Sequence, residues 1–170
     1  MAATRRQALG TWGERTVADT CNCPRCTRTK TFRLLPRNFK CADVICDFCG
    51  YLGQVKTMKV RDAAKLPRYL LGAAWAPQRE RMDAGILTAL YVVLRSEEHY
   101  AVYLLPPERQ PQDMFVIRRP LGPSAKQPGW QGFIYDLTVV SPGDIRRIAE
   151  GQIKLERSKV ARGTLGHAHK

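Results

Sequence analysis

Apolar residues are interspersed with polar ones over residues 39–46 (FKCADVIC) and 51–60 (YLGQVKTMKV), and both stretches are rich in Val, Ile, Phe and Tyr. This predicts two paired strands, with Gly50 supporting the tight turn between them. Residues 86–94 (ILTALYVVL) form a continuous apolar run, as expected of a strand buried on both faces. Further strands are predicted over 100–105, stopped by Pro106 and Pro107, over 114–117 and over 134–140. A helical pattern covers residues 4–19, where Ala8, Leu9, Trp12 and Val17 make a rough apolar face interrupted by Gly10 and Gly13. Residues 61–84 read as helix in pieces, with Pro67 and Pro77 each in a first turn, Gly85 as the C-cap of the second piece, and Arg79 and Arg81 facing solvent. A short helix is expected over 144–150. Residues 27–38 read as a basic connection, and 121–133 as a glycine- and proline-rich loop. The expected fold is α+β (or α/β), a mixed central sheet flanked by helices. It forms one domain over residues 1–150, followed by a basic tail over 151–170 that contains His167 and His169.

Composition narrows the function. The 170 residues suffice for one core, and no apolar run reaches the ~18 residues of a membrane span. The N-terminus has no apolar signal region, so a cytoplasmic location is expected. Lys plus Arg number 28 against 15 acids, a net charge of +13, which favours an anionic partner, most commonly nucleic acid.

The cysteines sharpen this. Cys23-Pro-Arg-Cys26 and Cys46-Asp-Phe-Cys49 are two C-x2-C pairs separated by 19 residues, the pattern of a closed, structural four-thiolate zinc site. Cys21 is a weaker competing ligand, and Cys41 reads as a buried strand residue. The same hairpin carries Asp43, then ten residues, then Gln54-Val55-Lys56. Side chains alternate along a strand, so Gln54 and Lys56 share a face that Asp43 can join by pairing. An acid, an amide oxygen and an ammonium converging on one point suit a hydrated divalent cation and a scissile phosphate. This looks like the PD-(D/E)xK nuclease signature, with Gln54 in the place of the usual acid; its carbonyl oxygen still suits a hard cation such as Mg2+, but without charge. Taken alone, D-x10-Q-x-K arises readily by chance, and a plain amphipathic hairpin with a solvated lysine is the competing reading. Glu14 reads either as an exposed helix acid or as a third acidic group facing the metal. Trp130, set among glycines, reads either as a lid on the sheet or as a DNA-facing side chain that senses a base.

Four segments resemble, in order, the catalytic domain of the DpnI family, restriction endonucleases that cut DNA carrying N6-methyladenine. They are GERTVADTCNCPRC with Glu14, CADVICDFC with Asp43, YLGQVK with Gln54 and Lys56, and RRPLGPSAKQPGWQGFIYDL over residues 118–137. The likeness runs from about residue 14 to 152. It implies a PD-(D/E)xK core with an inserted four-cysteine zinc site and Mg2+-dependent hydrolysis of modified double-stranded DNA, the modification being N6-methyladenine as in the family. In that scheme Asp43 and Gln54 bind the metal, Lys56 and Glu14 assist, and Arg118, Arg119, Lys126 and Trp130 face DNA. The family continues into a winged-helix domain where this chain stops, so selectivity is expected from the nuclease domain, a homodimer or a separate DNA-reading partner. Two rivals stand beside the enzyme: a non-cutting reader of modified DNA that lost its metal with Gln54, and a zinc-stabilised module that recruits another nuclease.

Overall fold

The computed structural model describes residues 4–37, 39 and 42–153. A long N-terminal helix lies against a six-stranded mixed sheet, and a smaller three-stranded sheet covers the other face. The helix α1 (Arg5–Thr20) begins at a capping box, in which the Thr4 side chain and Gln7 exchange hydrogen bonds with each other's backbone. The strands that follow are β1 (Phe32–Leu34), β2 (Val44–Cys46), β3 (Leu52–Lys59) and β4 (Tyr69–Ala74), then the second helix α2 (Trp75–Asp83). After it come β5 (Ala89–Arg95), β6 (His99–Leu105), β7 (Phe115–Ile117), β8 (Gly132–Asp136) and β9 (Arg146–Gln152).

The large sheet has the order β1-β2-β3-β5-β6-β9, parallel between β3 and β5 and antiparallel elsewhere; the small one is β4-β8-β7. Its centre is β5, where Ala89 to Leu94 are at most 2% exposed, as the unbroken apolar run requires. Alternate β5 residues belong to two cores. Tyr91 and Val93 pack with Val17, Val44 and Val55 under α1, while Leu90, Val92 and Leu94 pack with Leu70, Phe133 and Tyr135 of the small sheet. The helix sits close to β3, and a methyl group at Gly13 would overlap the Thr57 hydroxyl.

Several elements differ from the sequence reading. The expected helical stretch before Pro77 contains β4, because Leu70 alone turns inward between exposed Tyr69 and Leu71 and the backbone pairs with β8. The expected helix over 144–150 is the edge strand β9, whose backbone satisfies the outer side of β6; Gly151 lies under the Tyr100 ring, where no Cβ fits. The strand reaches Gln152, two residues into the expected tail. Within the connection over 27–38, Phe32 enters the core and β1 pairs with β2. Among the described residues the strand expected over 39–46 covers Val44–Cys46 only, and that over 134–140 ends at Asp136 in a short 3-10 turn. Arg81 is buried rather than solvent-facing. The expectations for Cys41, His167 and His169 lie outside the described residues.

Candidate functional site: a four-thiolate hairpin and an acid–amide–lysine cluster

Two C-x2-C turns close in the same way. The N–H of Thr27 donates to the Cys23 carbonyl at 2.8 Å, and that of Gly50 to the Cys46 carbonyl at 2.9 Å. Both closing residues adopt left-handed backbone, φ 60° at Thr27 and 73° at Gly50, which is costly for threonine and natural for glycine. The turns bring the sulfurs of Cys23, Cys26, Cys46 and Cys49 within 4.8 Å of one another. Cys23 and Cys49 stand 3.5 Å apart, and Cys26 and Cys46 3.7 Å. A tetrahedral ion with Zn–S bonds of about 2.3 Å places sulfurs ~3.8 Å apart, so the donor set fits zinc. Burial acts to raise the Cys46 pKa, but the Thr31 hydroxyl, 3.2 Å away, and the backbone N–H groups of Cys49 and Phe48 outweigh it and hold it at about 6. A thiolate is thus favoured at Cys46, while burial pushes Cys23 up to about 12 and Cys49 upward. Cys21 is buried beside these turns but stands apart from the four-sulfur cluster.

The same hairpin leads into the second constellation. In the ladder Val44 faces Gly53 and Ile45 faces Leu52. One step on, Asp43 donates its N–H to the Gly53 carbonyl at 2.9 Å, and its Oδ2 accepts from the Val55 N–H at 2.7 Å. This pins the carboxylate against β3. Gln54 and Lys56 project from the face of β3 opposite Val55, toward the small sheet. Gln54 is 9% exposed, and its Oε1 accepts a 3.0 Å hydrogen bond from the hydroxyl of Tyr135, an inward residue of β8.

Charge perturbations show which groups share this space. Burial pushes the Lys56 pKa down, opposed by Asp43, reinforced by Arg81 and opposed again by Glu14. Burial pushes the Glu14 pKa up, and Asp43 adds to this, while Arg37 and Lys56 pull it down. Glu14 of α1, Asp43 just before β2 and Lys56 of β3 are therefore electrostatic neighbours, and Glu14 is half-buried rather than a freely exposed helix acid. Burial also raises the Tyr135 pKa, so this phenol stays protonated and donates.

Sequence reasoning missed two members of this surround. Arg81 is 7% exposed, donates to Gln78 of the same helix and acts on both Lys56 and Tyr135. Tyr135 lies 81 residues from Gln54 in sequence; the only local signal was an inward tyrosine whose hydroxyl needs a partner.

The remaining expected residues lie apart from this cluster along the chain. Arg118, Arg119 and Lys126 are exposed on the loop between β7 and β8. The loop is held by backbone hydrogen bonds, from Leu121 to the Trp130 carbonyl and from Gly129 to that of Leu121, both 2.9 Å. The Trp130 ring covers Gly132, where a Cβ would overlap it, yet the residue stays 37% exposed. It is therefore packed on one side and accessible on the other.

These features define a mixed α+β domain with a thiolate cluster at the tip of one hairpin and an acid–amide–lysine group at its base. The chain matches the model of the DpnI, or Dam-replacing, family over residues 3–163 and belongs to that family. Membership points to a restriction-type nuclease of modified DNA. No curated protein matches the chain. Among the described residues, no helix is long and apolar enough to cross a membrane.

Proposed function

We propose that this chain is a metal-dependent endonuclease with a PD-(D/E)xK core that hydrolyses phosphodiester bonds in modified double-stranded DNA, N6-methyladenine being the modification the family resemblance favours. What supports the reading is that the Asp43 carboxylate is held against β3 between Gln54 and Lys56, by the Val55 N–H, and that Asp43, Lys56 and Glu14 act electrostatically on one another.

The Asp43 carboxylate and the Gln54 amide oxygen would hold Mg2+, which when bound supplies a polarised phosphate and a more acidic water. Asp43 keeps a fixed direction through the Val55 N–H, and Gln54 through the Tyr135 hydroxyl. Lys56 sits where negative charge would develop on the phosphate, and its lowered pKa eases transfer of a proton to or from its amine. Glu14, with its raised pKa, is suited to orient or accept from a water. Cys23, Cys26, Cys46 and Cys49 would keep a structural Zn2+ that fixes the hairpin carrying Asp43. Exposed Arg118, Arg119 and Lys126 supply phosphate contacts, and the accessible side of Trp130 supplies a surface for the modified base.

A second reading, the non-cutting reader, draws support from one observation: the Gln54 oxygen already accepts from Tyr135 and carries no charge. A carbonyl oxygen has two lone pairs, so this bond leaves room for a cation. One plasmid prepared from adenine-methylating and non-methylating hosts separates the two. Cutting of the methylated form alone in Mg2+ or Mn2+, lost in Asp43→Ala, is the expected result. Binding of the methylated form without cutting in either metal overturns the enzyme and leaves the reader.

A further inference from the structure

The exposed end of the cysteine hairpin carries a feature that neither the zinc site nor the acid–amide–lysine cluster uses. Phe48, between Cys46 and Cys49, is 57% exposed. The guanidinium of Arg28, from the other cysteine turn, lies over its ring at 3.7 Å. Arg25 lies over the Tyr51 ring at 5.2 Å, so each arginine is laid on an aromatic of the opposite turn. Arg28 and Lys30 are exposed, and Lys30 sits in left-handed backbone at φ 56°. The acid of this turn, Asp47, is matched by Arg33 at 2.8 Å. Glu108 is a further acid near Tyr51.

Phe48 belongs to neither core, and its ring supports Arg28. An arginine stacked on it loses less freedom when it meets an anion, because the ring already holds the guanidinium flat and leaves its edge N–H groups outward. The ladder also gives this end a direction. Arg33 faces Ile45 and Ile45 faces Leu52, and directly opposed residues project from the same face. Leu52 lies two residues from Gln54 on β3, so Arg33, Ile45, Leu52, Gln54 and Lys56 share one face. Gln54 itself is covered by the small sheet, so a duplex that reaches half-buried Asp43 would run on past Ile45 toward exposed Arg33 and the hairpin tip. The separation from Gln54 to Phe48 is roughly 15 Å at ~3.4 Å per strand residue. That is about four or five phosphates along one DNA strand.

We infer that the Arg28–Phe48 pair, with Arg25 and Lys30, is a second DNA-backbone contact that clamps the duplex about four or five nucleotides to one side of the cleavage site. This rests on the reading of duplex DNA as substrate. The contact anchors position rather than sequence, since guanidinium groups meeting phosphates carry no base information. It also gives the cysteine turns a role beyond stability, because they set the pair's distance from Asp43.

The test is duplex binding by the full-length protein in Mg2+-free buffer from 50 to 200 mM salt, for wild type, Arg28→Ala and Phe48→Ala. Removing one phosphate contact lowers the slope of log K against log salt by about 0.9. Over a fourfold change in salt, Arg28→Ala is therefore expected to lose about 3.5-fold less affinity than wild type. Phe48→Ala, which keeps every charge, is expected to weaken binding at each salt concentration with an unchanged slope. In both variants the protected DNA footprint is expected to shorten by about four nucleotides on one side only. Both side chains are exposed, so zinc content and melting temperature are expected to match wild type. Equal affinity, slope and footprint in all three proteins overturns the inference and leaves a protein partner as the occupant of this tip. Wild type that fails to bind any duplex, methylated or not, instead overturns the nuclease reading on which it rests.

Discussion

Replacing Tyr135 by Phe removes one oxygen atom and leaves the ring in its place among Phe115 and Phe133. What is lost is the 3.0 Å hydrogen bond to the Gln54 Oε1. Both residues are buried, at 2% and 9% exposure, so water does not readily replace the donor. Leaving a buried carbonyl oxygen without that partner costs about 1–3 kcal/mol. For a domain of this size each kcal/mol is worth ~2–4 °C, so the melting temperature in Mg2+-free buffer is expected to fall by roughly 2–12 °C. If Gln54 is a metal ligand, the loss has a second consequence. An amide no longer held by Tyr135 presents its oxygen less often, and removing such an outer partner typically weakens metal affinity by about 10-fold or more. The Mg2+ concentration for half-maximal cutting is expected to rise accordingly, with the rate at saturating Mg2+ nearly unchanged. Tyr103→Phe is the control. Its hydroxyl donates to the Ala63 carbonyl at 3.2 Å in the same core, away from Gln54. It is expected to cost comparable stability with no change in metal dependence. If Tyr135→Phe matches wild type in both melting and metal dependence, Tyr135 does not position Gln54 and the reasoning fails.

Cys46→Ser is expected to empty the thiolate cluster and unfold the hairpin, because zinc–thiolate bonding contributes ~10 kcal/mol or more to folding; retained zinc by elemental analysis with native melting would refute the ligand set. Gln54→Glu restores a charged oxygen ligand that Tyr135 can still donate to, and is expected to lower the Mg2+ requirement for cutting; an unchanged or higher requirement would remove residue 54 from the metal site. Glu14 has a folded-state pKa raised above its ordinary 4.5, so its contribution to stability is complete below that value and is lost as pH rises through the folded-state pKa. In Mg2+-free buffer Glu14→Gln is therefore expected to flatten the fall in melting temperature above pH 4.5, and an identical pH profile for both proteins would contradict the burial of Glu14.

The parts of this fold that were legible in sequence are those whose signal is local. The β5 run is continuous because the strand is covered on both faces, and the cysteine spacing survives in sequence because each turn is built from four consecutive residues. Tyr69, Leu70 and Leu71 looked helical because a single inward residue sets no visible period; their strand character comes from pairing with β8, more than 60 residues later. The strand β9 was hidden for a related reason. It is an edge strand with mostly exposed positions and none buried, so charged residues stand where a central strand would show Val and Ile. The site divides in the same way. Asp43, Gln54 and Lys56 lie on one hairpin and could be grouped by alternation, whereas Tyr135 and Arg81 join them only when the small sheet and α2 fold over that face.

If Gln54 is a metal ligand of the proposed nuclease, the charge balance around it links the missing carboxylate to substrate. Within the group, Asp43 and Glu14 are acidic and Lys56 and Arg81 basic, so the formal charges of these four cancel before any metal arrives; Arg37, which also acts on Glu14, is exposed and screened by solvent. A glutamate at position 54 would leave a net negative site that attracts a divalent cation on its own. With glutamine, a bound Mg2+ leaves the site at about two positive charges, and the shifts of Lys56 downward and Glu14 upward show that burial already penalises charge here. A phosphate from DNA restores the balance. Metal and DNA should therefore bind with positive coupling, each tightening the other by the same factor, as linkage requires. Coupling of about 1–3 kcal/mol corresponds to roughly 5–150-fold. Measuring Mn2+ affinity without DNA and with a non-cleavable phosphorothioate duplex reads this directly, and in Gln54→Glu the factor is expected to shrink as the protein supplies the missing charge itself. Equal metal affinity with and without duplex in the native protein would mean that the site completes its metal shell without substrate. Gln54 would then be no obstacle, and the neutral ligand would have no bearing on how cutting is confined to bound DNA.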